Sequence, residues 1–217
     1  MRSIMLIVGL TGGIATGKTV VANILREKGC YVDNADLLAQ DLMQPGGEAF
    51  LAVVNHFGQE ILASDGQIDR QKLGRIIFKV PEERETLNNL THPLILNKVR
   101  EKVACLEKSG DYEIYVTEAA LIFEAGYQFF YDRVVLTFCQ PEVQIERLIK
   151  RDGLSPEEAL LKIKSQWPLD KKIQLADYLI NTSGPLVETV EQTEELYLRL
   201  YHDSQLKKLG KLLREID

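Results

Sequence analysis

Apolar residues in this chain gather in short β-branched runs that alternate with stretches of helical spacing. Met5-Leu6-Ile7-Val8-Gly9-Leu10 is almost continuously apolar, the pattern of a strand covered on both faces in a parallel sheet. Val20 to Lys28 follows, with Val21, Ile24 and Leu25 at helical spacing and Gly29 at its stop, which predicts a helix. Further strands are expected at Cys30–Val32, Tyr112–Thr117, Arg133–Cys139 and Tyr178–Ile180. The segments between them are mostly helical in pattern. Repeated strand–helix alternation predicts an α/β sheet with right-handed crossovers.

Two stretches interrupt the alternation. Leu37 to Lys108 holds no convincing strand but several helical patterns, broken at Pro45-Gly46-Gly47, Ser64-Asp65-Gly66 and Pro81. Its length suits a helical subdomain inserted between two strands. Leu148 to Lys172 is charged and helical, with a break at Gly153 and Trp167-Pro168 near its end; it reads as a mobile flap over the sheet. Leu186 to Arg214 is amphipathic and highly charged, and reads as a solvated helix packed on the sheet. No internal repeat or low-complexity run appears, which argues against a solenoid or a long linker.

Composition narrows the class. The 217 residues carry a net charge of 26 − 32 = −6, with 45% apolar and 27% charged residues. That is ordinary globular usage, at a length that buries a core without metal or disulfide staples. The longest apolar runs, Ile4–Leu10 and Ala119–Phe123, fall far short of the ~20 residues a spanning helix needs. The opening Met1-Arg2-Ser3 and its apolar run start like a secretory signal but stop in glycines with no small-residue cleavage site. A mature N-terminus and a cytoplasmic location are therefore expected. Cys30, Cys105 and Cys139 form an odd, widely spaced set, which indicates neither a disulfide framework nor a zinc site. Cys30 reads as a small strand hydrophobe. The acidic balance argues against non-specific nucleic-acid binding.

The chemistry lies between the first strand and the first helix. Gly12-Gly13-Ile14-Ala15-Thr16-Gly17-Lys18-Thr19 matches GxxxxGK[ST], a string that chance supplies in about one chain in a hundred. Glycines let the backbone curl so that successive N–H groups point into one concavity. The following helix adds its positive end. The backbone amides of this loop are expected to hold the phosphates of a nucleoside triphosphate. Lys18 would reach the β- and γ-phosphates, and the Thr19 hydroxyl would help hold Mg²⁺.

The rest of the chain must select among nucleotide chemistries. No aspartate has a glycine three residues later, and Asn97-Lys98 continues as Val99-Arg100, so a GTPase switch fits poorly. Val116-Thr117-Glu118 offers a single acid, too little for a remodelling ATPase. A small-molecule kinase needs an acceptor pocket, a carboxylate at the acceptor hydroxyl and cations around the transferred group. Asp36 follows the second strand, where α/β proteins place ligands; its alternative role is the N-cap of a helix beginning at Leu37. Asp33 reads as a turn residue. Arg147 and Arg151 share a helix face and could close over triphosphate oxygens, or stay solvated with Arg151 paired to Asp152 or Glu146. Glu118 ends a strand pointing at the loop, in the metal's outer shell or as a cap. Trp167 suits either adenine stacking or hinge packing.

At this point the residues resemble a known family, the dephospho-coenzyme A kinases. Gly9-Leu10-Thr11-Gly12-Gly13-Ile14 with Gly17-Lys18-Thr19 is similar to that family's opening loop. Ala35-Asp36, Pro45-Gly46, Phe57-Gly58, Ile61-Leu62, Asp65-Gly66, Ile68-Asp69-Arg70, Leu73 and Phe78 follow its next segment. His92-Pro93-Leu94-Ile95, Leu121-Ile122-Phe123-Glu124, Arg147, Arg151-Asp152, Gln166, Pro168-Leu169, Lys171, Ala176-Asp177 and Ser183-Gly184 continue the pattern in order.

The resemblance implies a P-loop kinase-like, three-layer α/β fold with a five-stranded parallel core sheet, a helical substrate domain and a lid. The core is then 1–36, 109–147 and 173–217, the coenzyme A-binding subdomain 37–108 and the lid 148–172. The implied reaction is transfer from ATP to the ribose 3′-hydroxyl of dephospho-coenzyme A, the last step of coenzyme A synthesis, giving coenzyme A and ADP. Small-molecule substrates alone are implied, with no nucleic-acid or membrane partner. Asp36 becomes the base or orienter, Lys18, Arg147 and Arg151 the cations, and Gln166 and Lys171 further lid contacts. His92 is placed beside the coenzyme pocket, although a histidine before Pro93 also suits a helix start. Another nucleoside or nucleotide kinase of this architecture, and a non-catalytic nucleotide- or coenzyme-binding relative, are the alternatives. The sequence departs from the family at Asn34, where an aspartate is usual, and at Ala15-Thr16, where Gly-Ser is common. It departs again at Ala120, for a frequent proline, and at Thr182, where an asparagine near the adenine is common. Ala15 needs either an ordinary backbone conformation or some strain.

Overall fold

The structure, a computed structural model, describes residues 4–212. The expectations for Met1–Ser3 and for the last residues of the Leu186–Arg214 stretch fall outside that range. The described chain divides into two compact units, one built from the segments up to Asp33 and from Val103 onward, the other from Asn34–Lys102.

The first unit is an α/β sheet of five strands. They are β1 (Leu6–Gly12), β2 (Tyr31–Asn34), β3 (Ile114–Glu118), β4 (Arg133–Phe138) and β5 (Tyr178–Asn181), in the order β2-β3-β1-β4-β5. β1 pairs in parallel with β3 from Leu6 opposite Ile114 to Leu10 opposite Glu118, and with β4 from Val8 opposite Arg133 to Gly12 opposite Thr137. β5 continues parallel to β4. The period of two along β4 explains the layers. Val135 joins Leu6, Val8, Leu10, Val116 and Ile180 against Val21, Ala22 and Leu25 of α1 (Lys18–Glu27) and Leu196 and Leu200 of α9 (Leu186–Lys208). Val134 and Leu136 turn the other way, onto Ile122, Phe123 and Tyr131 with Trp167, Leu169 and Ile173 around them. Helices α6 (Pro141–Asp152), α7 (Pro156–Lys164) and α8 (Leu169–Ile173) occupy the stretch between β4 and β5.

The second unit is helical, with α2 (Ala35–Leu42), α3 (Phe50–Phe57), α4 (Arg70–Lys79) and most of α5 (Pro81–Ser109) around Leu42, Val53, Phe57, Ile61, Leu73, Leu87 and Ile95. Asp69 caps α4 through the amides of Gln71 and Lys72. Pro81 opens α5, where its missing N–H is harmless.

Three local expectations need correction. Asp33 is no turn residue: it lies in β2 and accepts from the Tyr115 hydroxyl. Burial, with the Asp33 carboxylate second, pushes that tyrosine's pKa well up. His92-Pro93 opens no helix; α5 runs through it. Pro93 withholds a donor from the Asn89 carbonyl, but Leu87 and Ile95 on either side are buried in the helical core, and that packing carries the helix past the break. The helix after β2 begins at Ala35 rather than Leu37. Among the described residues no helix is long and apolar enough to cross a membrane.

α9 is fastened by charge as well as by leucines. Arg133 Nε and the Tyr178 hydroxyl both donate to Asp203 Oδ2 at 2.8 Å, and the Arg133 and Asp203 side chains are only 13% and 7% exposed. Arg133→Met leaves a buried carboxylate with the tyrosine as its donor and should lower the unfolding free energy by about 3 kcal/mol in urea titration. Arg133→Met combined with Asp203→Leu should recover most of that loss, since no buried charge is then stranded.

Candidate active site

The loop between β1 and α1 is held in shape by close backbone approach, threonine hydroxyls and two glutamine side chains. A Cβ on Gly12 would lie 2.3 Å from Thr137 Oγ1 and 2.6 Å from Thr16 Oγ1, so only glycine allows this approach. Gly17 has φ +80° and suits the left-handed region. Ala15, at φ +60°, is the non-glycine residue that takes positive φ among the described residues. The strained alternative for Ala15 therefore holds, at about 1 kcal/mol. Thr16 Oγ1 donates to Gly13 O at 2.8 Å and is hydrogen-bonded to Thr137 Oγ1 at 2.9 Å. Thr182 Oγ1 donates to Thr16 O at 3.0 Å. Gln144 Nε2 donates to Ile14 O, and Ile14 N–H donates to Gln166 Oε1, both at 2.8 Å.

Of the expected amide donors, Ile14 and Thr16 thus already serve Gln166 Oε1 and Gly13 O. The amides of Lys18 and Thr19 lie in the first turn of α1, where a helix has no acceptor of its own to offer them. Lys18 Nζ donates to Gly12 O at 3.1 Å and Gly13 O at 3.0 Å. Thr19 Oγ1 donates to Glu118 Oε1 at 2.7 Å, and Glu118 is buried at the end of β3. A hydroxyl and a carboxylate oxygen therefore sit together beside the loop.

The remaining predicted residues of this unit separate into two groups. Arg147 is joined to the loop through Thr182: its guanidinium donates to Thr182 O at 2.7 Å and Thr182 Oγ1 at 3.1 Å. Arg151 is not brought there. It is 56% exposed and paired with Asp152 at 2.7 Å, and that guanidinium holds the Asp152 carboxyl down at about 2. Gln166 meets the loop directly. Lys171 instead lies over the Trp167 ring, 3.2 Å from its centroid. The neighbouring Lys172 is the buried one, 2.5 Å from Glu124 Oε1. A cleft of about 320 Å³ is lined by Gly13, Thr16, Gln144, Gln166, Trp167 and Lys172. Gln144 escaped the sequence reading, although it precedes Arg147 by three and so shares its helix face. Thr137 and Lys172 carried no local signal, because their partners lie far along the chain, and Glu124 stood in the family-like Leu121–Glu124 run with no role attached to it.

In the helical unit, Asp36 stands in the first turn of α2. It is not the cap. Asn34 fills that role, its Oδ1 accepting from Asp36 N at 2.9 Å and Leu37 N at 3.1 Å. Asp36 lines a cleft of about 290 Å³ with Gln40, Met43, Arg70, Ile77 and Leu87. His92 is outside that lining; burial lowers its imidazole pKa, which favours the neutral ring.

The capping geometry predicts how position 34 tolerates change. Asn34→Ala should lose about 1 kcal/mol of stability, whereas Asn34→Asp should be neutral within a few tenths, because either side chain caps equally well. Urea unfolding of the two variants checks this.

The family model described as CoaE, dephospho-CoA kinase, matches residues 6–188. The dephospho-CoA kinase of Carboxydothermus hydrogenoformans is 43% identical over 186 residues, covering 86% of this chain and 90% of that protein. Among solved structures, TT1252 from Thermus thermophilus aligns with a TM-score of 0.77 at 28% identity, over 90% of this chain and 97% of that one. The dephospho-CoA kinase from Campylobacter jejuni aligns at 0.63 and 26%, over 89% and 96%. The match runs through the phosphate loop, the sheet and the helical segment alike, and on it the chain belongs to the dephospho-CoA kinase family.

Proposed function

We infer that this chain transfers the γ-phosphoryl group of ATP to the ribose 3′-hydroxyl of dephospho-coenzyme A, and that the loop at Gly12–Thr19 is the donor site. The bond from γ-phosphorus to the ADP oxygen breaks, a bond to the 3′-oxygen forms, and the hydroxyl proton passes to a carboxylate. The observation that carries this reading is the loop itself: a strained, glycine-dependent curl opening a helix, with Lys18 folded onto it. Family membership selects the acceptor over a uridine or shikimate type.

Asp36 is assigned the hydroxyl proton. Asn34 does the capping, so the cap role that was the alternative for Asp36 is already filled. The helical cleft combines Asp36 and Arg70 with the apolar wall of Met43, Ile77 and Leu87. That suits an acceptor bearing both phosphate and a long neutral arm. Arg147 and Arg151 are proposed to face the triphosphate. The exposed Arg151–Asp152 pair is the kind worth about 1 kcal/mol or less, so it would not hold Arg151 back. The reading also carries a cytoplasmic location.

Mg²⁺ belongs to this reading. Thr19 Oγ1 and Glu118 Oε1, 2.7 Å apart, are hard oxygen donors of the number this ion takes from a protein when phosphates and waters complete its shell. Bound there, it would screen the charge that develops on the phosphate oxygens.

Asp36→Asn should lower kcat by about 10²-fold or more while ATP affinity is kept; unchanged kcat would remove Asp36 from the chemistry. Lys18→Ala should weaken both ATP binding and turnover. In coupled ADP detection over a panel of acceptors, product should form with dephospho-coenzyme A, and turnover only with a nucleoside would overturn the acceptor.

A further inference from the structure

The hold on the phosphate loop does not end at its two glutamines. Trp167, next to Gln166, donates its backbone N–H to Glu124 Oε1 at 3.1 Å. The same oxygen lies 2.5 Å from Lys172 Nζ. Lys172 is 1% exposed and the Glu124 side chain 14%. Yet Lys172 Nζ and Glu124 Oε2 are buried with no hydrogen-bond partner among the described residues. The ammonium and carboxylate are held together by charge attraction at close range.

A pair like this is a poor device for stability alone. Two opposite charges lose their hydration on burial, and well-packed apolar residues of similar volume usually hold a position as well or better. What the pair does reach is the turn carrying Gln166. Gln166 and Gln144 grip the N–H and the carbonyl of Ile14 from opposite sides, and the next residue is the strained Ala15. A non-glycine residue keeps such a conformation only where its surroundings over-determine it. Lys172 also lines the cleft shared by Gly13, Thr16 and Gln166. Without its ammonium, a buried carboxylate would stand beside a cleft that receives an anion.

We propose that Glu124 and Lys172 are positioning residues for the donor nucleotide. Through the Trp167 backbone and Gln166 they hold the phosphate loop in its curled form, and Lys172 neutralises Glu124 beside the triphosphate. Neither touches the reacting atoms. The inference rests on the loop being the ATP site.

The test is a double-mutant cycle on the full chain with ATP as the titrant, read by calorimetry and by steady-state kinetics. Lys172→Met and Gln166→Ala should each weaken ATP binding by about tenfold or more. The KM for dephospho-coenzyme A should stay within about twofold, a split that a general loss of folding would not give. Because Lys172 acts through Gln166, the double variant should bind ATP about as weakly as the weaker single, and Lys172→Arg should restore most of the affinity. If Lys172→Met does not fold, Glu124→Gln takes its place in the cycle. Wild-type ATP affinity in Lys172→Met with only a lowered melting temperature would overturn the proposal, as would losses that multiply in the double variant. Failure of the unmutated chain to bind ATP is a different result: it would overturn the donor-site reading itself.

Discussion

A short peptide curl that must stay open is the constraint on which the rest depends. An isolated Gly-rich loop has many conformations, and only a few point successive amides into one concavity. Here the choice is made by neighbours that have no glycine-like freedom. Thr137 on β4 and Thr182 after β5 contribute hydroxyls to Thr16, and the parallel register sets Gly12 beside Thr137. The sheet is thus more than a scaffold of burial. Its strand order brings two threonines from distant segments to the one loop whose shape decides whether a polyphosphate can be held. This also accounts for the tolerance of Ala15 at positive φ: about 1 kcal/mol of strain is small beside the bonds that fix the peptides around it.

The same accounting shows that not every amide of the motif is equivalent. Ile14 and Thr16 satisfy acceptors inside the protein, while Lys18 and Thr19 open α1, where the helix itself leaves amides without acceptors. Phosphate affinity should therefore concentrate toward the helix end of the loop, with the earlier residues acting as its frame. The glutamine contacts to Ile14 belong to that frame, and they tie it to α6 and to the turn before α8.

The alternation of apolar runs disclosed the α/β sheet and its strands to within a few residues, most directly for the three inner strands β1, β3 and β4, which are buried along most of their length. The phosphate loop was legible for a different reason: its chemistry demands glycine, lysine and a hydroxyl at fixed spacing. What escaped was everything set by pairing across the sequence. Lys172 looks like any charged residue in a short helix, and its burial depends on Glu124, 48 positions earlier by number. His92-Pro93 misled because a proline is a strong local stop signal, whereas the helix survives through apolar packing on both sides. Arg147 and Arg151, identical by sequence logic, part company in the structure because one turn of helix separates Thr182 from open solvent.

The Asn34-Ala35-Asp36 triplet shows how a departure from a family pattern can be read physically. A carboxylate and an amide are interchangeable as N-caps, since both present an oxygen to the second and third amides of the helix. They differ in charge, and so in what else they can do near a phosphate or a cation. By placing the neutral residue at the cap, the chain keeps its acid two residues later, in the cleft that Asp36 shares with Arg70, Met43 and Leu87. An ionised carboxylate is the state required of a proton acceptor. The neutral cap at Asn34 therefore leaves one carboxylate fewer at the start of α2 while keeping the one proposed to take the hydroxyl proton.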